Sequence, residues 1–169
     1  AYHPPMNLLP FGSLPPHKAR RFLPKKLDLG DWKAIAPQFD RLETVLSGCK
    51  NLQQLERWLL DWSELSAALD EESSRRYIAM TCHTDNAAAE KAYLAFVERI
   101  EPQLKPRQFK LEKLFLSHSL AIKLPARRYG VFIRDVKNHV ELFREENVAL
   151  ETEESKLTQQ YQKLSGSLT

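Results

Sequence analysis

Glycine is scarce in this chain of 169 residues, at five, and runs of β-branched residues are almost absent. The five glycines (Gly12, Gly30, Gly48, Gly130 and Gly166) stand alone, which excludes a glycine-rich phosphate loop. There are only two cysteines, Cys49 and Cys82. They form no framework pattern, so free thiols in a reducing compartment are expected rather than a disulfide scaffold. No stretch approaches the roughly 20 consecutive apolar residues of a membrane helix. The Pro-rich start holds no apolar core segment, so no secretory leader is expected. No membrane partner is expected.

The chemistry-bearing signatures are missing too. Five histidines occur (His3, His17, His83, His118, His139), none with another four residues away. The HExxH helix motif, which sets two imidazoles one turn apart around a water-activating glutamate, is therefore absent. Cys82 and His83 are adjacent and would diverge from a helix. There is no GxSxG elbow, and neither cysteine has a local sign of activation, so both read as buried helix cysteines. Glu71-Glu72, Glu145-Glu146 and Glu153-Glu154 read as solvated helix faces. No residue of this chain is assigned a catalytic, cofactor-binding or metal-binding role.

Charge is unevenly placed. Lys18, Arg20, Arg21, Lys25 and Lys26 give residues 1–27 a charge of +5 without any acid, so a net of +3 leaves the remainder at −2. A nucleic-acid binder would spread basic charge over a folded face, whereas here it sits on an arm, so no nucleic-acid partner is expected. Six of the ten prolines fall in those residues, and proline blocks helix and sheet alike. Leu8, Leu9, Phe11, Leu14, Phe22 and Leu23 are too apolar for a solvated tail. Residues 1–27 therefore read as an extended arm lying across its own domain or a neighbouring one. Arg127 and Arg128 follow Pro125 near a helix start, where cations oppose the dipole. They hint at an acidic partner or a substrate carboxylate, with an ordinary surface pair as the plainer reading.

What remains, residues 28–169, is helical in pattern. Trp32, Ile35, Phe39, Leu42 and Leu46 share one face of a first helix ending at Gly48. Its start falls at Asp31, or near Pro37 after a short turn. Asn51 and Gln54 form a capping-box-like pair opening a second helix. Its stripe is Leu52, Leu55, Leu59, Trp62, Leu65 and Leu69, with Gln53, Glu56, Arg57 and Glu64 opposite. A third helix is expected over 73–82, ending where Thr84-Asp85-Asn86 offers caps. A fourth carries Ala89, Ala92, Tyr93, Phe96 and Ile100. Pro102 and Pro106 bracket a connection to a short helix marked by Leu111, Leu114, Phe115 and His118.

The last segment predicts one continuous helix from Pro125 to Ser165, about 60 Å long at 1.5 Å per residue. Tyr129, Ile133, Val136, Val140, Phe143, Asn147, Leu150, Glu154, Leu157, Tyr161 and Leu164 make a heptad seam along it. The two polar members, Asn147 and Glu154, weaken a simple dimer seam. Packing inside the chain's own bundle is the leading expectation, with a self-associating coiled coil or a hinge near Asn147 as alternatives. The fold class is all-α, a multi-helix bundle with a long C-terminal helix and an extended Pro-rich N-terminal arm.

Several stretches together bring a family into view. They are Arg21-Phe22-Leu23-Pro24, Trp32 with Phe39 and Leu42, Leu55-Glu56-Arg57-Trp58-Leu59, Trp62-Ser63-Glu64-Leu65, and above all Tyr77 through Asp85. Ala92 through Val97, Ile100-Glu101-Pro102 and the end from Glu145 to Gly166 add to them. From Arg20 to Thr169 the chain resembles the N-terminal region of M3-family (thimet-type) zinc oligopeptidases, in the oligoendopeptidase F-like branch. The resemblance implies a cytosolic, largely helical enzyme that cleaves short peptides inside a deep channel. It implies zinc held by HExxH and a later glutamate in a C-terminal catalytic domain that this chain lacks. The N-terminal helices would form one wall of the substrate channel, inactive on their own, with the catalytic domain as partner. The alternative is a stand-alone helical interaction module that uses the heptad helix.

Overall fold

The computed structural model describes residues 19–83 and 85–166. Expectations for Leu8, Leu9, Phe11, Leu14, Lys18, His3 and His17 fall outside them. Six α-helices run in the order α1 (Trp32–Ser47), α2 (Leu52–Cys82), α3 (Ala87–Arg99), α4 (Glu101–Ser117), α5 (Ala126–Leu142) and α6 (Asn147–Gly166), with a 3₁₀ turn at Ala121–Lys123. Among the described residues there is no strand. The fold is the expected all-α multi-helix bundle.

Helix α1 starts at Asp31, whose carboxylate accepts the Lys33 N–H at 2.9 Å. It continues through Pro37 rather than beginning there. The proline forfeits one backbone bond, but Ile35 and Phe39 are buried on either side of it and hold the helix in register. Asn51 caps α2 by accepting the Gln54 N–H at 2.9 Å, while Gln54 reaches back to the Lys50 N–H at 2.7 Å.

Three boundaries differ from the sequence reading. Helix α2 is one helix of 31 residues, with no break before Ser73. Its apolar stripe lapses after Leu69, yet two i,i+4 pairs, Arg75–Glu71 and Arg76–Glu72, both at 2.7 Å, carry the backbone across the polar stretch. Pro102 and Pro106 lie inside α4, not at the edges of a connection. Pro102 sits in the first turn, where its missing N–H has no helical partner to lose. Only Ile100 separates α3 from α4.

The third difference is the long C-terminal helix, which is two helices split at 143–146. Phe143 leaves helical geometry (φ −59°, ψ 131°) and stacks on Phe109, ring centroids 4.3 Å apart. The Arg144 guanidinium then donates to the carbonyls of Glu141 and Phe143 at 2.9 and 2.8 Å, occupying acceptors that a continuing helix would need. The hinge near Asn147 is thus the arrangement found.

Trp58 stands at the centre of the core, fully buried. Its indole N–H donates to the Leu42 carbonyl at 2.8 Å, and its ring lies 5.1 Å from Trp62 and 5.9 Å from Phe115. Helix α4 is the hub, packing against α1, α3, α5 and α6.

Candidate functional site

The Arg21-Phe22-Leu23-Pro24 stretch is docked on the chain's own helices. Phe22 and Leu23 are buried in the main core. Three consecutive backbone N–H groups converge on the Glu64 carboxylate: Arg21 on Oε2 at 2.9 Å, Phe22 and Leu23 on Oε1 at 2.9 and 2.8 Å. Arg21 pairs with Asp61, and Arg41 donates to the Phe22 carbonyl at 3.0 Å while covering the Phe22 ring at 4.2 Å. Burial pushes the Glu64 carboxyl up. The bonds from Leu23, Arg21 and Phe22, with the Arg21 charge, outweigh it and hold the group below its ordinary value.

Glu64 was placed by pattern on the polar face of α2. It is instead the anchor of the docked N-terminal segment, a role that no sequence signal marks, because backbone N–H groups belong to every residue type.

Beside this clasp, the end of α1, the start of α2 and the start of α5 enclose a groove of about 710 Å³. Val45, Leu60 and Trp58 give it apolar surface; Glu56, Arg57, Arg128 and Tyr129 give it polar groups. Tyr129 donates its hydroxyl to Glu56 at 2.9 Å, and the Arg128 guanidinium lies 3.6 Å from that same carboxylate oxygen and 5.2 Å from the Tyr129 ring centre. Burial, then the bond and charge of Glu56, raise the Tyr129 phenol, with Arg128 opposing. Arg128 therefore has a partner within the domain.

Cys49, half-buried on the same groove, donates its thiol to the Val45 carbonyl at 3.3 Å, and burial pushes its pKa up. That is the opposite of an activated nucleophile. Both cysteines are free, and neither is the buried helix cysteine expected: Cys49 lies between α1 and α2 and is half-buried, and Cys82, the last residue of α2, is exposed. The groove does not present a poised nucleophile and base.

The histidines are dispersed. His139 pairs through Nδ1 with Glu112, whose carboxyl burial pushes up against the opposing bond and charge of His139. His118 turns Nδ1 to the Leu120 N–H at 3.3 Å, and His83 lies at the end of α2. Among the described residues no three His, Cys, Asp or Glu side chains gather where a metal ion could be held. Of the paired carboxylates, Glu71 and Glu72 are tied to Arg75 and Arg76, and Glu153 to Lys156 at 3.1 Å. No helix among the described residues is long and apolar enough to cross a membrane.

An all-α bundle with a docked N-terminal segment and a surface groove is the class these features define. The chain belongs to the family of the Peptidase M3 N-terminal domain, whose family model matches residues 22–143. The match opens at Phe22, the first buried residue of the clasp, and closes at Phe143, where α5 gives way to α6. No curated protein and no solved structure matches the chain.

Proposed function

We propose that this chain is the N-terminal helical region of a zinc-dependent oligoendopeptidase, of the oligoendopeptidase F-like branch, forming one wall of a channel that admits short peptides. The observation that carries this reading is the match of the M3 N-terminal family across 22–143, which takes in the Phe22 and Leu23 part of the clasp and α1 to α5. A channel wall requires rigidity, shape and binding surface. The Trp58–Trp62–Phe115 core and the Glu64 clasp supply the first, and the 710 Å³ groove supplies the last. We place the domain at 28–169 and treat residues 1–27 as its arm. The two free thiols support a reducing, cytoplasmic setting.

Zinc does not fit the residues present. His139 is committed to Glu112, His118 to the Leu120 backbone, and the described residues offer no third donor near either. The metal and the hydrolytic step belong to the catalytic part of the peptidase, and the domain alone is inactive. Hydrolysis of internally quenched short peptides tests the reading. The full-length protein with zinc should cleave them and the 169-residue chain should not. Cleavage by the chain itself, sensitive to a chelator, would defeat it.

A further inference from the structure

The first half of α5 carries residues that its own fold does not use. The 22 residues from Lys113 to Arg134 hold five cations, Lys113, Lys123, Arg127, Arg128 and Arg134, and no acid. Residues 28–169 sum to −2 and this stretch to +5, which leaves −7 on the rest of the helical body. Within α5, Tyr129, Ile133 and Val136 face inward and pack on the main core. Helical spacing then sets Arg127, Val131 and Arg134 on the opposite side. All three are exposed, Val131 to 63%. Gly130, three residues past Arg127 and four before Arg134, borders the same side.

Three local choices here run against the helix. Arg127 and Arg128 put positive charge into a first turn that has no acid and no side-chain cap, where the dipole disfavours it. Gly130 lies in the helix interior, where alanine would be better, yet a Cβ built on it meets nothing within 4 Å. No close packing inside the domain demands the glycine. Arg128 is offset by Glu56 at 3.6 Å, but Arg127 has no ion pair among the described residues, and Arg134 has only its sequence neighbour Asp135 at 3.5 Å. Local departures that the fold does not use mark a surface kept for something outside it.

Charge and spacing identify the occupant. Arg127 and Arg134 are seven residues apart, about 10 Å along the helix at 1.5 Å per residue. A segment that meets both carries carboxylates about 10 Å apart: seven residues apart on a helix, or three apart in an extended chain at about 3.3 Å per residue. Val131 lies between the two guanidinium groups and Gly130 leaves the backbone bare, so the residues between the acids are small and apolar. A nucleic acid matches less well, because base stacking needs a free aromatic face and Phe132 is turned edge-on to Trp62 at 5.8 Å.

We propose that the outward side of α5 around Gly130 is a docking surface for an acidic segment of a protein partner, whose carboxylates pair with Arg127 and Arg134. The inference does not rest on the peptidase reading.

The test uses the 169-residue chain and two fluorescein-labelled peptides at low salt, followed by fluorescence anisotropy. One is an alanine-rich helix with glutamates seven apart; the other is an extended Glu-Ala-Val repeat with glutamates three apart. The same sequences with glutamine are the controls. One acidic peptide should bind saturably and at least tenfold more tightly than its glutamine control. Arg127→Ala with Arg134→Ala should weaken it at least tenfold, whereas Lys26→Ala with Lys50→Ala, the same charge change elsewhere, should leave it intact. Gly130→Leu should block binding without lowering the thermal midpoint, and Gly130→Ala should raise that midpoint by about 2–4 °C. No saturable binding of either peptide, equal binding of the glutamine controls, or equal loss in the two double variants would overturn the proposal. So would a single-stranded oligonucleotide that binds more tightly than both peptides and is lost in Arg127→Ala with Arg134→Ala. None of these readouts depends on peptidase activity, so the docking surface and the enzymatic reading fail separately.

Discussion

One carboxylate oxygen of Glu64 accepts the Leu23 backbone N–H at 2.8 Å, forty-one residues away in sequence, and so ties the docked N-terminal segment to the middle of α2. The same oxygen takes Phe22, and its twin takes Arg21. Backbone donors that would otherwise lose water on burial of Phe22 and Leu23 are thereby satisfied.

Removing that carboxylate should loosen the docked segment. Glu64→Ala is expected to cost about 2–3 kcal/mol, since hydrogen bonds to a charged group contribute about 1.5–3 kcal/mol and the three share one acceptor. Glu64→Gln keeps a carbonyl acceptor and should cost about half as much. Urea denaturation followed by tryptophan fluorescence measures both; a midpoint unchanged in Glu64→Ala would show that the clasp contributes nothing.

The clasp also predicts a pH dependence. The folded-state pKa of Glu64 is depressed, so its contribution is fully present above the unfolded value, about 4.3. It is lost as pH falls through the lower folded value. Glu90, held down first by its bond from Lys163 and then by Gln159, acts with the same sign. Glu112 acts oppositely: burial raises it, so its contribution is present at low pH and fades as pH rises through the raised value. Stability of the wild-type chain should fall more steeply below pH 4.3 than that of Glu64→Gln; parallel curves would contradict the assignment.

The thiols should differ in reactivity. Cys82 is exposed, whereas Cys49 is half-buried, bonded to Val45 and raised in pKa by burial. A chromogenic disulfide reagent at pH 7.5 should label Cys82 first, with Cys82→Ser removing the fast phase. A fast phase that survives in Cys82→Ser would reverse the order.

The heptad pattern was legible and its consequence was not. Leu150, Leu157 and Leu164 do share a face, as the spacing demanded, but that face looks outward. Periodicity identifies which residues lie together; it cannot say which side of a helix the bundle takes. The core stripes of α1 and of the first half of α2 were readable because Ile35, Phe39, Leu42, Leu55, Leu65 and Leu69 follow helical spacing without competition. The junction at Phe143 depends on Phe109 and on the Arg144 guanidinium, contacts that arise only after folding. Pro102 of α4 misled for a related reason: a first-turn proline resembles a breaker until the preceding turn is located. The clasp on Glu64 left no trace in composition, while the resemblance carried by its Arg21-Phe22-Leu23-Pro24 stretch and by Tyr77 to Asp85 pointed to the family directly.

Helix α6 should be the first helix to open. It is held by ion pairs and amide links rather than by apolar burial, and exposed ion pairs contribute about 0–1 kcal/mol each. Glu90→Gln should speed amide exchange in α6 several-fold and leave the centre of α2 around Trp58 unchanged, by hydrogen–deuterium exchange. Equal acceleration in both helices would mean that α6 does not open independently.

The most direct test of the peptidase account is to read the coding sequence past the codon for Thr169. An in-frame HExxH followed by a later glutamate ligand is the predicted result, and would make this chain the wall of a zinc peptidase. A stop codon immediately after Thr169 would contradict that account and leave the outward side of α5 as the place to seek a function.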